Sequence, residues 1–479
     1  MLAIKYGYSV QQARPHGPGY PGFYLLWKGI EYVTCLSPHS VILEANFLFL
    51  LSAVALTYFA AKRLFDERTA VFATALLATN PVLLYFACTT ELYVYDAAFS
   101  AFLVLLLIAP PRRFEIALYF VYGLLGAFRL SSVILTFPVI LISLLMHFYR
   151  DRSFLHLFQC SVAIVIGLLV WLIPFLYNIG GWGQFVAMLQ GVGDLPTSLV
   201  QNLGRLLPAM LWMTSGLFII AVINSRPAWK KFLQFDSRYL ILLLIEAVPL
   251  LFFTLKYYEK GYALILLAPV ALLGSRLIGR GKRPNVTILA ACCVNLLVFF
   301  AVPFIPPSAK SSLNHLHRSN GERFASSILR ETSFFAPTSS HLRASDNASE
   351  TSETIIGTLP KGSVIVVDIS AGLWAFPRTL QAQFPEMVFL MPSETDTQHV
   401  RKFARDSLNY RYTWNDFSNS IQGKPAFYYL TDPQLQRVIG SPPGNSITSG
   451  GHTALFYIPR DSFEVLKKYD RTFFYRGGE

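Results

Sequence analysis

Two carboxylates, Glu91 and Asp96, stand five positions apart within Tyr85–Ser100 (YFACTTELYVYDAAFS), a break between two apolar runs. A charged side chain held near hydrocarbon costs about 2.5 to 3.5 kcal/mol on the lenient insertion scale, so both acids need a reason to be there. A carboxylate pair of this kind can take a proton from an attacking hydroxyl, which makes Glu91 and Asp96 the first candidates for acid–base chemistry. The plainer reading leaves Glu91 in a short wet loop and sets Asp96 at the head of the next helix, where its charge complements the macrodipole.

Further polar groups interrupt apolar sequence. Arg129 follows Gly123-Leu-Leu-Gly-Ala-Phe, Glu246 lies near the middle of an apolar run, and Lys256-Tyr-Tyr-Glu-Lys-Gly-Tyr262 precedes another. Arg or Lys at the rim of a membrane domain suits a phosphate or diphosphate head group. Glu246 is either a functional group in its own right or the partner of an internal ion pair with a residue such as Arg129. The opening segment, Arg14-Pro-His-Gly-Pro-Gly-Tyr-Pro-Gly-Phe-Tyr24, alternates prolines that fix φ with glycines that allow close approach. Its His16 taken alone reads as an exposed loop histidine. Phe23–Thr34 then reads as an amphipathic helix at the membrane interface.

The elements that must hold these groups are membrane helices. Of 479 residues 53% are hydrophobic and only 14% charged, with a mean hydropathy of +0.44, a balance that a soluble globular chain of this length rarely reaches. The net charge of +12 does not point to nucleic acid, because the basic residues fall in short loops between apolar runs. Those runs cover roughly 39–61, 69–87, 93–108, 114–128, 131–148, 157–177, 204–223, 239–255, 261–278 and 286–304, about ten spans. Lys62 and Arg63, Arg112 and Arg113, Arg150 and Arg152, Arg226 with Lys230 and Lys231, and Arg280 with Lys282 and Arg283 occupy every second loop. The positive-inside rule therefore places Glu91, Arg129, residues 179–201, Lys256–Lys260 and both chain ends outside. The five cysteines show no metal-ligand spacing and no disulfide framework, although a Cys35–Cys88 pair on one face stays open.

The expected organisation is an all-α polytopic membrane domain followed by a small extracytoplasmic α/β domain. Residues 1–37 form an outer loop with the interfacial helix, 38–305 the membrane domain, 306–358 a linker that is Ser/Thr-rich from Ser326 to Thr358, and 359–479 the outer domain. Strands are expected at Val364–Val367, Val388–Met391, Ala426–Leu430 and Ala454–Tyr457, with a helix at Phe376–Phe384. That domain has no phosphate loop or histidine cluster, so packing or acceptor docking is its expected role.

A combination of motifs carries a family resemblance. His16-x-Pro-Gly-Tyr-Pro21, Asn80-Pro81 followed by Glu91-Leu-Tyr-x-Tyr-Asp96, Gly126-x-x-Arg129-x-Ser131-Ser132, and Gly261-Tyr262 leading to Pro269 resemble the multi-span GT-C glycosyltransferases over residues 6–305. The relatives of that group include the protein O-mannosyltransferases and the lipid A aminoarabinose transferases. The resemblance implies inverting transfer of a sugar from a polyprenyl-phosphate carrier to a glycan, lipid or protein acceptor on the outer or lumenal face; the expected location is the plasma (inner) membrane. By position it implies Asp96 and its neighbour Glu91 as the acidic residues, His16 as a phosphate- or metal-binding side chain, and Arg129 as the basic residue after the glycine-rich span. Lys260 and Tyr262 match its rim beside the lipid phosphate, with Lys256 as a rival, and a divalent metal cofactor is left open.

The family's principal acid lies in a first outer loop after an initial span, whereas this chain has no acidic residue before Glu31. Either Glu91 or Asp96 supplies the base, or the chain extends further. Lys5, Arg14 and Lys28 make the segment before residue 38 a poor candidate to cross unaided. The expectation is thus about 30 to 60 further residues upstream, with about 20 apolar ones followed by an Asp or Glu. Two other classes remain open. A lipid-linked sugar transporter or flippase would also need outer-face charge, but the spans show no inverted repeat. A non-catalytic membrane scaffold would need no base at all.

Overall fold

A computed structural model describes residues 20–108, 114–151, 153–186, 237–255, 260–281, 283–302, 338–367 and 383–392, the later strands, and isolated positions within 3–8, 203–217 and at 380. The chain divides into two compact bodies. One holds Tyr20–Pro306 with Lys310–Leu342, and the other Met1–Gly19, Pro307–Ala309 and Arg343–Glu479.

The first body is helical: α1 (Pro21–Thr34), α2 (Pro38–Leu64), α3 (Glu67–Ala78), α4 (Pro81–Ala87), α5 (Val94–Ile108), α6 (Glu115–Leu125), α7 (Leu130–Asp151), α8 (Phe154–Ile179) and α9 (Ser237–Leu255). A 3₁₀ segment, Lys260–Leu266, then leads into α10 (Leu267–Gly279) and α11 (Pro284–Ala301). Among the described residues four helices are long and apolar enough to cross a membrane, five if the bent pair α3–α4 counts as one. Four shorter apolar helices, Val94–Ile108, Glu115–Leu125, Leu130–Met146 and Ile241–Leu255, accompany them. The protein is an integral, multi-span membrane protein. Most of the apolar run at 204–223 lies outside the described residues.

The run read as one span over 69–87 is broken by 56°. Pro81 has no N–H to donate back and pushes Asn80 out of helical geometry, to ψ 124°. The Asn80 side chain restarts the helix by accepting from the N–H groups of Val82 and Leu83 at 3.1 and 3.2 Å.

Helix α5 is the centre of this body. Every residue from Val94 to Leu107 is buried, as expected of a helix that is apolar all round. Leu141, Leu145, Ile166, Val170 and Ile173 on α7 and α8 are exposed, which suits a surface facing lipid. Helices α6 and α8 touch backbone to backbone. A Cβ added at Gly123 would lie 2.2 Å from the Ile164 carbonyl oxygen, and one at Gly167 2.1 Å from that of Phe120.

The second body contains a seven-stranded sheet, β1 (Val364–Val367), β2 (Val388–Pro392), β3 (His399–Ala404), β4 (Ser407–Thr413), β5 (Ala426–Leu430), β6 (Ser446–Gly450) and β7 (Thr453–Tyr457), ordered β4-β3-β2-β1-β5-β7-β6. Strand β1 runs parallel to β2 and β5, with Val364 opposite Val388 and Ala426, and the outer pairs are antiparallel. Four strands fall where alternation placed them; most of the helix expected over 376–384 lies outside the described residues. The Ser/Thr-rich segment read as linker carries a helix, α12 (Ser339–Gly357), ending in the buried Ile355 and Ile356.

Candidate active site

Helix α4 ends at Ala87, and the chain turns through Cys88–Tyr93 before α5 begins. Thr89 builds this turn: its hydroxyl donates to the Phe86 carbonyl at 3.0 Å and accepts from the Glu91 N–H at 3.3 Å. From α2, the buried Asn46 donates through Nδ2 to the carbonyls of Thr89 and Glu91, at 2.7 and 2.8 Å. Glu91 itself is exposed.

Asp96 lies just beyond, in the first turn of α5, and is 2% exposed. Both of its oxygens are occupied. Oδ1 accepts from the Ser132 hydroxyl at 2.6 Å, and Oδ2 accepts from Nη1 of Arg129 in a buried ion pair. Arg129 is 6% exposed, and its guanidinium lies over two aromatic rings, 4.9 Å from the centroid of Tyr93 and 4.6 Å from that of Tyr262. Within a buried site each such cation–π contact contributes up to about 2 kcal/mol. The partner of Arg129 is therefore Asp96 and not Glu246, which corrects the ion pair weighed from sequence. Asp96 is held on both oxygens by Ser132 and Arg129, which suits a positioning group better than the base for an incoming acceptor.

Neighbouring elements fix the loop that bears Arg129. The Tyr95 hydroxyl donates to the Leu125 carbonyl at 2.8 Å, and the Gly22 N–H at the start of α1 donates to the Ala127 carbonyl at 2.9 Å. Phe23 packs against Trp27, Phe49, Tyr95 and Phe128. Helix α1 thus buries Phe23 and Trp27 beside the site, while Leu25, Tyr32 and Val33 are exposed on its other side, the two-faced character read from sequence.

The remaining candidates fall as follows. Tyr262 joins the site from the 3₁₀ segment, and Lys260 opens that segment. His16, Lys256 and the Lys260 side chain lie outside the described residues. Glu246 is 8% exposed on α9, faces the Val270 backbone N–H, and its Oε1 has no hydrogen-bond partner among the described residues. Among the described residues no three His, Cys, Asp or Glu side chains are grouped to hold a metal ion. Tyr93, Ser132 and Asn46 were missed as site members. Ser132 and Tyr93 did stand inside the quoted motifs, whereas Asn46 had no signal beyond being an amide in an apolar run.

The fit around Tyr93 is tight, since a Cβ at Gly261 would lie 2.0 Å from its ring. Gly261→Ala is expected to cost about 1–3 kcal/mol through overpacking. Gly29→Ala, whose added methyl meets nothing within 4 Å, should cost nothing. Thermal unfolding of the two purified variants checks the contrast.

No protein-family model matches the chain, and no curated protein matches its sequence. Solved structures do. The apo structure of ArnT, an aminoarabinose transferase from Cupriavidus metallidurans, aligns with a TM-score of 0.55 at 13% identity, covering 93% of this chain and 88% of that one. The same enzyme bound to undecaprenyl phosphate aligns equally well, over 91% and 87%. The Archaeoglobus fulgidus oligosaccharyltransferase in complex with Zn and sulfate gives 0.41 at 12% identity, over 77% and 53%. The chain thus has the fold of ArnT, and the resemblance to the GT-C glycosyltransferases holds at the level of the fold.

Proposed function

We propose that the chain is a membrane glycosyltransferase that moves a sugar from a polyprenyl-phosphate carrier to a glycan, lipid or protein acceptor, with inversion at the anomeric carbon. The observation that carries this reading is an exposed carboxylate, Glu91, two residues from the tyrosine that covers a buried arginine, in a chain with the fold of ArnT. ArnT has been captured with undecaprenyl phosphate. A lipid phosphate of that type is the carrier we assign here.

Glu91 acts as the base that removes the acceptor's proton as the acceptor oxygen attacks the anomeric carbon. The bond from that carbon to the phosphate oxygen breaks, and the electron pair leaves with the polyprenyl phosphate. Arg129, with Tyr262 beside it, stabilises the phosphate as its charge grows, and His16, Lys256 and Lys260 are assigned to the same task. Asp96 is assigned a positioning role: with Ser132 it holds the guanidinium in one orientation, so that none of its order has to be gained when the donor arrives. The topology that goes with this chemistry is the ten-span arrangement in the plasma (inner) membrane, with residues 38–305 as membrane domain and 359–479 as an extracytoplasmic α/β domain for acceptor docking.

Mass spectrometry of envelope glycans tests the reading in cells. A strain lacking the gene should lose one sugar substituent, and a strain carrying Glu91→Gln should match the deletion. Identical glycans in all three strains would dismiss the proposal.

A further inference from the structure

We infer that Asn46 is the positioning residue of the Glu91 carboxylate. The inference rests on Glu91 being the base, and it adds the group that sets where that base stands. Asn46 is 1% exposed on α2, and burying an amide there has to be offset by good hydrogen bonds. It has only two N–H hydrogens, and both go to one turn, to the carbonyls of Thr89 and Glu91. This fixes the amide's orientation, because the reversed amide would set Oδ1 against two carbonyl oxygens. Oδ1 has no hydrogen-bond partner among the described residues, so the side chain is committed to the turn.

The geometry gives the clamp its use. Glu91 lies on an exposed turn, and an exposed turn with free carbonyls would sample many backbone orientations. Asn46 ties down the Thr89–Thr90 and Glu91–Leu92 peptide groups, while the Thr89 hydroxyl holds the Glu91 N–H between them. The backbone that carries the carboxylate is thereby held in place. A displacement of about 1 Å at a catalytic group can cost about 100-fold in rate, so loosening this turn should act on the chemical step.

The test uses the full-length protein in proteoliposomes. The donor probe is whichever undecaprenyl-phosphate-linked hexose or pentose from a synthetic panel the wild-type chain turns over fastest. Asn46→Leu keeps the size but offers no N–H donor, and is expected to lower kcat by roughly 30-fold or more while the donor KM stays within about threefold. Asn46→Ala leaves room for water at both carbonyls and should show the same split between kcat and KM. Thr57→Val, which alters a buried hydroxyl on the same helix that has no partner among the described residues, should leave kcat unchanged. Combined with Glu91→Gln, the Asn46 change should add no further loss. Wild-type kcat in both Asn46 variants, an equal rise in KM, or a full additive loss on top of Glu91→Gln would each overturn the inference. If Glu91→Gln is inactive while the Asn46 variants are active, only the clamp fails. If Glu91→Gln is itself active, the base assignment fails and the clamp with it.

Discussion

Glu91→Gln should lower sugar transfer by at least ~100-fold while leaving insertion, folding and donor affinity as they are. The amide has the shape of the acid but cannot accept a proton, and the Glu91 side chain is exposed, so water makes up for the lost charge. Asp96 cannot substitute, because both of its oxygens are held by Ser132 and Arg129 inside the protein. Steady-state turnover together with equilibrium binding of undecaprenyl phosphate checks the result. Near wild-type turnover would remove Glu91 from the chemistry, and an equal loss in binding would show that the substitution had disturbed the site as a whole.

Breaking the Asp96–Arg129 pair should have a different signature. Arg129→Met leaves a carboxylate that is 2% exposed without its counter-charge, and removing one partner of a buried pair costs about 3–5 kcal/mol. That loss should appear as a lower unfolding temperature and a lower yield of folded protein. Asp96→Asn in the Arg129→Met background removes the stranded charge and should recover most of the stability, since neutral replacements of whole buried pairs are often tolerated. It should not recover affinity for undecaprenyl phosphate, because the cation is gone. A double variant that regains both would mean that Arg129 serves only the fold. Single variants as stable as the wild type would mean that the pair is not closed in the membrane.

Much of this fold is legible from the chain because the bilayer imposes simple rules. Apolar runs had to be helices, and the runs at 157–177 and 286–304 lie largely or wholly within α8 and α11. The strands at 364–367 and 426–430 were equally plain, being short β-branched or aromatic runs bounded by turn residues. Glu91, Asp96 and Arg129 could be singled out by type alone, as charges in apolar surroundings. Their arrangement could not. Asp96 and Arg129 are 33 residues apart on different elements, and the choice of Asp96 over Glu246 as partner depends on how α5, α7 and α9 pack. The tyrosine pair around Arg129 has the same character, with one ring before α5 and the other in the 3₁₀ segment. Two local signals were present and outweighed. The bend at Asn80-Pro81 was hidden by the continuity of the apolar run around it. The helix Ser339–Gly357 was hidden by Ser and Thr, which favour turns locally but are overridden where Ile355 and Ile356 can be buried.

The direct test of sugar transfer is release of the carrier. Purified full-length protein in proteoliposomes, given a synthetic undecaprenyl-phosphate-linked sugar and a mixture of candidate acceptors, is followed by mass spectrometry of the lipid fraction. The account predicts time-dependent appearance of undecaprenyl phosphate that requires an acceptor and disappears with Glu91→Gln. Release no faster than in protein-free liposomes, or passage of the intact donor across the bilayer without release, would contradict it.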